Sequence, residues 1–413
     1  MMKHILTLAL LIYVTIGSFA NSHMEQTVVD DLDRIYFVYT PTGYQKGDKE
    51  RPVMVLLHST GYSAMTFAEL CRVQDISDRN DAIVVLPEAL DEDDDEVIDA
   101  MATLKKYNLL PSGLKDKYVW GAGARIYIED LKKSAGSFAS SLINSQMPNA
   151  VKRGYIELCE DKDDVKFINT LLDEMKSKYN INDNIYVAGA SIGGVMAYKY
   201  AYSEGCKAKK VGVINGFVGK ALDDTKPLNM PLCVFQSLSD ELIPYSGGLF
   251  TDSLQVILNN IPIRNLCTSA EVTETYQDIN TLITIQKIEY GCGDNPTWCY
   301  AISNVSHFTI LSSDKYDIGY MDELEKFFFQ LPTKTSGETL VTDNQSLLYP
   351  TSASENLYCE VAGEYWVTNL LGSVVLSGSN ENKIIDITSL SAGEYIFSIK
   401  TTDAIYKSIF IKK

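Results

Sequence analysis

One stretch, Ile185-Tyr-Val-Ala-Gly-Ala-Ser-Ile-Gly-Gly-Val-Met-Ala197, constrains this chain more than any other. Ile185 to Ala188 is a short apolar run rich in strand-forming residues, so it reads as a buried strand. Gly189-Ala190-Ser191-Ile192-Gly193 then fits a G-x-S-x-G pattern, and Val195 to Ala201 continues as a helix-compatible apolar segment. Strand, tight turn and helix in that order form a nucleophile elbow. The serine is lifted clear of the sheet on a strained backbone, with the positive end of a helix beneath it. Small residues are needed on both sides, because a Cβ at Gly189 or Gly193 would collide with the neighbouring strand or helix.

A serine hydroxyl is a weak nucleophile unless an imidazole takes its proton. The chain has 4 histidines, His4, His23, His58 and His307. His4 and His23 lie in or just beyond an N-terminal leader. His58 ends the apolar run Val53 to Leu57, which reads as a buried strand, and is expected to be structural. His307 is the one histidine after Ser191, and so the candidate general base in the chain order serine, acid, histidine.

The pattern around this pair is one of strands alternating with helices. Ile35 to Thr40, Pro52 to Leu57, Ala82 to Pro87, Val211 to Ile214 and Pro231 to Phe235 read as strands, and Thr281 to Tyr290 alternates. Met65 to Cys71, Asp163 to Met175 and Met321 to Gln330 read as helices. Together they predict an α/β fold with a doubly wound, mostly parallel sheet. The acidic run Asp91 to Glu96 reads as a solvated loop. Val97 to Glu157 has poor periodicity and is expected to be an insertion over the carboxyl end of the sheet, where such folds carry function.

Domain boundaries follow from shifts in composition. Residues 1–20 pair Lys3 and His4 with an apolar run and a small-residue close at Ala20, as a signal peptide does. This predicts a secreted or cell-surface protein, and no later stretch approaches a membrane span. Residues 26–332 form the main domain, 333–345 a linker, and 346–413 a run of short alternating strands expected to build a small all-β sandwich. The net charge of −18 disfavours nucleic acid and anionic membrane surfaces as partners. No cysteine or histidine pair has ligand-like spacing, so neither a metal nor a cofactor is expected. Export permits disulfides among the 8 cysteines. A Cys292–Cys299 bridge would close a short loop before His307, and Cys233 reads as a buried thiol.

Residues from about 33 to 332 resemble the secreted poly(3-hydroxybutyrate) depolymerase and feruloyl/acetylxylan esterase group of α/β-hydrolases. The stretches that carry the resemblance are Arg51 to Gly61, Ile83 to Pro87, Asp163 to Phe167, Tyr186 to Gly194, Asp240 to Tyr245 and Ser306-His307, in the order of that family. Residues from about 348 to 413 resemble the C-terminal sorting module of the type IX secretion system, through Tyr349 to Leu357, Asn369 to Gly372, Leu390 to Tyr395 and Ile411 to Lys413.

The first resemblance implies Asp240 as the acid behind His307, although Gln236 and Ser237 replace the histidine and glycine of the family's loop. It implies an oxyanion hole from the backbone N–H groups of Ile192 and Thr60, with Ser59 standing where the family has glycine. It also supplies Cys267–Cys292 as the rival disulfide. The aromatic residues of the insertion, Tyr118 and Trp120 foremost, are expected to bind substrate by packing on a feruloyl ring or a sugar face. The resulting expectation is a secreted serine esterase acting on acylated polysaccharide or oligosaccharide, feruloyl or acetyl, with the type IX machinery as a second partner. The alternatives are a polyhydroxybutyrate depolymerase-type esterase and a catalytically weak surface protein that keeps the fold for binding. Ser59, Gln236, Ser237 and the insertion favour that last reading, whereas Ser191, Asp240 and His307 favour the enzyme.

Overall fold

The computed structural model describes residues 22–110, 117–222, 228–244, 246–251, 267, 269–278, 283–293, 295–307, 319–330, 348–349, 352–359, 362–369, 374–381, 383–400 and 405–413, with residues 135–142, 269, 271–272, 276–278, 348–349, 352, 368–369, 394, 396, 398, 400 and 405–409 described by backbone alone. The expected signal peptide and linker fall outside these residues.

The chain opens with an antiparallel hairpin, β1 (Ser22–Val29) and β2 (Leu32–Tyr39). Its two loop residues, Asp30 and Asp31, both have positive φ, the hand that matches strand twist. There follow β3 (Arg51–Leu57), α1 (Ala64–Leu70), α2 (Val73–Asn80) and β4 (Ile83–Pro87). Next come α3 (Asp95–Lys106), β5 (Arg125–Tyr127), α4 (Ile128–Gln146), α5 (Pro148–Arg153) and β6 (Tyr155–Glu157). The elbow region is α6 (Asp164–Lys178), β7 (Ile181–Ala190) and α7 (Ile192–Tyr202). The domain closes with β8 (Lys210–Ile214), β9 (Leu232–Ser237), β10 (Ser269–Asp278), β11 (Ile283–Gly291), β12 (Thr297–Ile302) and α8 (Tyr320–Glu325), which runs into a π-helical turn at Lys326–Gln330.

Ten strands form one sheet in the order β1-β2-β4-β3-β7-β8-β9-β12-β11-β10. The inner strands from β4 to β12 are mutually parallel, and antiparallel strands flank them at both ends. This is the α/β-hydrolase fold. Side chains of adjacent residues sort to opposite faces: Val53, Val55 and Leu57 join the core under α3, α6 and α7, while Met54 and Leu56 join the one under α1, α2 and α8. That period of two, buried on both sides, is why the inner strands read as unbroken apolar runs.

The region 97–157 holds more regular structure than its sequence suggested. In α3, Val97, Ala100, Met101 and Leu104 are buried at helical spacing. The acidic run starts as a loop with Asp91, Asp93, Asp94 and Asp95 exposed, as a solvated run would be, but its carboxylates also take backbone donors. Asp91 accepts from the N–H of Tyr118 at 2.9 Å. Glu92 is buried and accepts from Asp93, Asp94 and Cys159. Asp94 caps α3, and Glu96 takes the N–H groups of Asn149 and Ala150 at the start of α5. Backbone donors at loop and helix starts would otherwise be unpaired, so these carboxylates clasp the insertion onto the sheet.

Cys267 and Cys292 form the disulfide, so the Cys292–Cys299 pairing is not made, and Cys299 and Cys233 are buried free thiols. The bridge spans the open end of the β10–β11 hairpin, beside the Ser269–Gly291 pair. A register shift between Val272 and Glu274 places a bulge in β10. Among the described residues, no helix is long and apolar enough to cross a membrane.

The C-terminal module is all β: β13 (Leu348–Tyr349), β14 (Ser352–Ala353), β15 (Asn356–Cys359), β16 (Glu364–Asn369), β17 (Val374–Ser379), β18 (Ile384–Asp386), β19 (Gly393–Lys400) and β20 (Ile405–Lys412). A three-stranded sheet (β13-β15-β18) and a five-stranded sheet (β14-β20-β19-β16-β17) enclose their own core, with Leu357 and Ile385 from one and Val367, Phe397 and Phe410 from the other.

Candidate active site

Ser191 sits between β7 and α7 at φ 55°, ψ −123°, a conformation that costs an L-residue free energy and persists only when its surroundings enforce it. Two glycines enforce it. A Cβ on Gly189 would lie 2.1 Å from the Gly193 carbonyl oxygen, and one on Gly193 would lie 2.3 Å from that of Leu57. The turn therefore packs backbone on backbone. The Ser191 N–H donates to Ile214 O at 2.8 Å, fixing the turn to β8. Ile192 is the first residue of α7, where a backbone N–H has no acceptor within its own helix.

The loop after β3 is clamped beside this turn. His58 is fully buried; its Nδ1 lies 3.0 Å from Ser59 O, and its Nε2 accepts from the Ala89 N–H at 3.0 Å. That pattern fixes the neutral tautomer with the proton on Nδ1, and burial lowers the pKa of the ring to about 4. The Trp120 indole N–H donates to His58 O at 2.9 Å, and the two rings are 5.0 Å apart. The Thr60 hydroxyl and the Gly61 N–H both donate to Lys117 O. Thr60 is thereby held at the mouth of the pocket that also holds Ser191 and Ile192.

His307 and Asp240 reach Ser191 from loops after β12 and β9. His307 Nε2 lies 2.8 Å from Ser191 Oγ, and His307 Nδ1 lies 2.7 Å from Asp240 Oδ2. Asp240 Oδ1 accepts from the N–H groups of Leu242 and Ile243 at 2.9 and 2.8 Å. All three residues are buried. An Nδ1–H donated to Asp240 leaves Nε2 as the acceptor for the serine proton, the polarity that general-base catalysis requires.

Several residues that hold this geometry escaped the sequence reading. Asn215, at positive φ after β8, accepts from the Ser237 N–H at 2.8 Å and donates to His307 O at 3.2 Å. It links the acid-bearing strand to the base. Ser237, a departure from the family loop, donates its hydroxyl to Val305 O and accepts from the Ser239 N–H. Glu241 accepts from the His307 N–H at 3.0 Å. The sequence signal for Asn215 was Ile214-Asn215-Gly216, a turn pair after an apolar strand.

The expectation for Trp120 needs correction. Trp120 is fully buried and supports the His58 loop, so it presents no ring to a ligand. Tyr118 is half-buried with its ring edge-on to His58. Neither lines the pocket; Val119, Ala124 and Leu158 do so from this segment.

No protein-family model matches the chain, and no curated protein matches it in sequence. Among solved structures it is similar to an acetyl xylan esterase from Aspergillus awamori, at 11% identity over 75% of this chain and 99% of that one, with a TM-score of 0.40. An S-formylglutathione hydrolase from Agrobacterium tumefaciens is similar at 11% identity over 76% and 96%, with a TM-score of 0.41. A ferulic acid esterase is similar at 16% identity over 54% and 80%, with a TM-score of 0.33.

Proposed function

We propose that the protein is a serine esterase that removes feruloyl or acetyl groups from polysaccharide through an acyl-enzyme. One observation carries this reading: Asp240, His307 and Ser191 are joined by contacts of 2.7 and 2.8 Å, with Ser191 on a strained strand-to-helix elbow. Ser191 Oγ attacks the ester carbonyl carbon while its proton passes to His307 Nε2. The negative charge on the carbonyl oxygen is met by the N–H groups of Ile192 and Thr60, a contribution of about 3 kcal/mol per donor. The alkoxy C–O bond breaks, and the proton on His307 goes to the departing sugar oxygen. Water then gives one proton to His307 and its hydroxide to the acyl carbon; the acyl carbon–Oγ bond breaks, His307 returns the proton to Ser191 Oγ, and the acid is released. Asp240 holds the imidazole in the required tautomer throughout.

Export, by a signal peptide over residues 1–20 and a type IX sorting module over 346–413, is part of the same reading. The separate core of the C-terminal module supports it, since a unit with its own core is removable after translocation.

The test is labelling of the purified protein with a fluorophosphonate, which reacts with activated serines. Wild type should label, Ser191→Ala should not, and hydrolysis of an activated acetyl ester should fall about a millionfold in the variant. Undiminished hydrolysis by Ser191→Ala would remove the assignment.

A further inference from the structure

We infer that the segment 117–162 limits the length of the acyl group, so that the site accepts a two-carbon acyl group and refuses an aromatic one. This rests on the esterase reading and narrows its substrate.

The cavity opening on Ser191 and Ile192 has a volume of about 30 Å³. A single water needs about 10–15 Å³ of such space, so the cavity takes a group of only about two or three heavy atoms. Pockets that enclose ligands of drug size run to roughly 300–1,000 Å³, and a feruloyl group, a substituted benzene ring on a three-carbon arm, needs room approaching that class. The methyl of an acetyl group is the acyl tail that fits.

The walls are apolar and fixed. Val119, Ala124 and Leu158 line the cavity together with Phe217, Leu242, Ile243 and Phe250. The Val119 N–H donates to Leu90 O at 2.8 Å, and the Leu158 N–H donates to Ala124 O at 3.4 Å. Glu92 holds the N–H of Cys159, the residue after Leu158, at 2.6 Å. Leu242 and Ile243 cannot retreat without releasing their N–H groups from Asp240. A longer acyl chain therefore meets backbone that is already bonded. Leu158 is the wall residue whose trimming enlarges the pocket without touching the acid or the base.

The experiment compares kcat/KM of the purified protein for 4-nitrophenyl acetate, 4-nitrophenyl butyrate and methyl ferulate. One methylene against an apolar wall is worth about 10- to 200-fold, so acetate should exceed butyrate by at least about tenfold, with ferulate slower still. Leu158→Ala should narrow the acetate-to-butyrate ratio by about tenfold, and Leu158→Val, a milder change that keeps most of the packing, should narrow it less. Equal rates on acetate and butyrate in wild type, or an unchanged ratio in a folded Leu158 variant, would overturn the inference alone. A protein that hydrolyses none of the three esters overturns the esterase reading, and this inference with it.

Discussion

Ser191 and His307 meet at 2.8 Å, yet the molecule positions them by opposite means. The serine is held by what its neighbours lack: Gly189 and Gly193 let β7, α7 and the loop after β3 close to backbone contact, and the turn has no other shape available. The histidine is held by side chains from elsewhere in the chain, Asn215, Ser237 and Glu241, each bonding to backbone of the β9 or β12 loops. Steric positioning is all-or-none, whereas hydrogen-bonded lacing is divisible and should fail in parts.

The largest expected effect comes from breaking the steric side. Gly189→Ala puts a methyl group 2.1 Å from a backbone oxygen, which no rotamer change relieves. Overpacking usually costs about 1–3 kcal/mol, and a backbone neighbour places this case above about 3 kcal/mol. Chemical denaturation should show the loss, and a variant of wild-type stability would mean that the turn is not sterically determined.

A second prediction sharpens the same side through pH. His58 stays neutral in the folded protein down to a pKa of about 4, against 6.5 for the ring in unfolded chain. Between these values only the unfolded state takes up the proton, so stability is full above pH 6.5 and is lost as pH falls toward 4, by about 3 kcal/mol in total. Thermal midpoints of wild type and His58→Asn between pH 7 and pH 4 test this. The variant should show a flatter profile over that window, and parallel profiles would count against a neutral buried His58.

The smallest effect is expected from cutting one lace. Asn215→Ala leaves the Ser237 N–H and His307 O short of a partner, about 1–3 kcal/mol. The protein should fold with kcat lowered about ten- to a hundredfold and KM little changed, because the base is displaced while the pocket is not. A KM effect alone would place Asn215 in binding instead of positioning.

The same contrast explains what could be read in the sequence. The elbow was legible because its requirement is local: glycines two residues either side of a serine, between a strand and a helix. The inner strands were legible because burial on both faces leaves continuous apolar runs such as Pro52 to Leu57. Asn215 was not, since its partners Ser237 and His307 lie 22 and 92 residues away. For Asp91, Glu92 and Glu96 the sequence did not show the partners either: these are backbone N–H groups of Tyr118, Cys159 and Asn149, donors that no sequence pattern marks. An aromatic in an insertion looks exposed, yet the Trp120 indole closes a loop 62 residues earlier.

The two ends of the large sheet bear on whether copies of the chain can add to one another. A terminal strand leaves half its amides and carbonyls without a ladder partner, which invites a second molecule to add on and begin an aggregate. At one end, β10 meets this hazard with Glu274, paired with Lys287, and a bulge that breaks its line. At the other, β1 carries Glu25 in an ion pair with Lys178, which sets a charged side chain across the approach. The parallel strands that carry Ser191 and lead to Asp240 and His307 never lie at an edge, so self-association at either margin would have to overcome charge before reaching them.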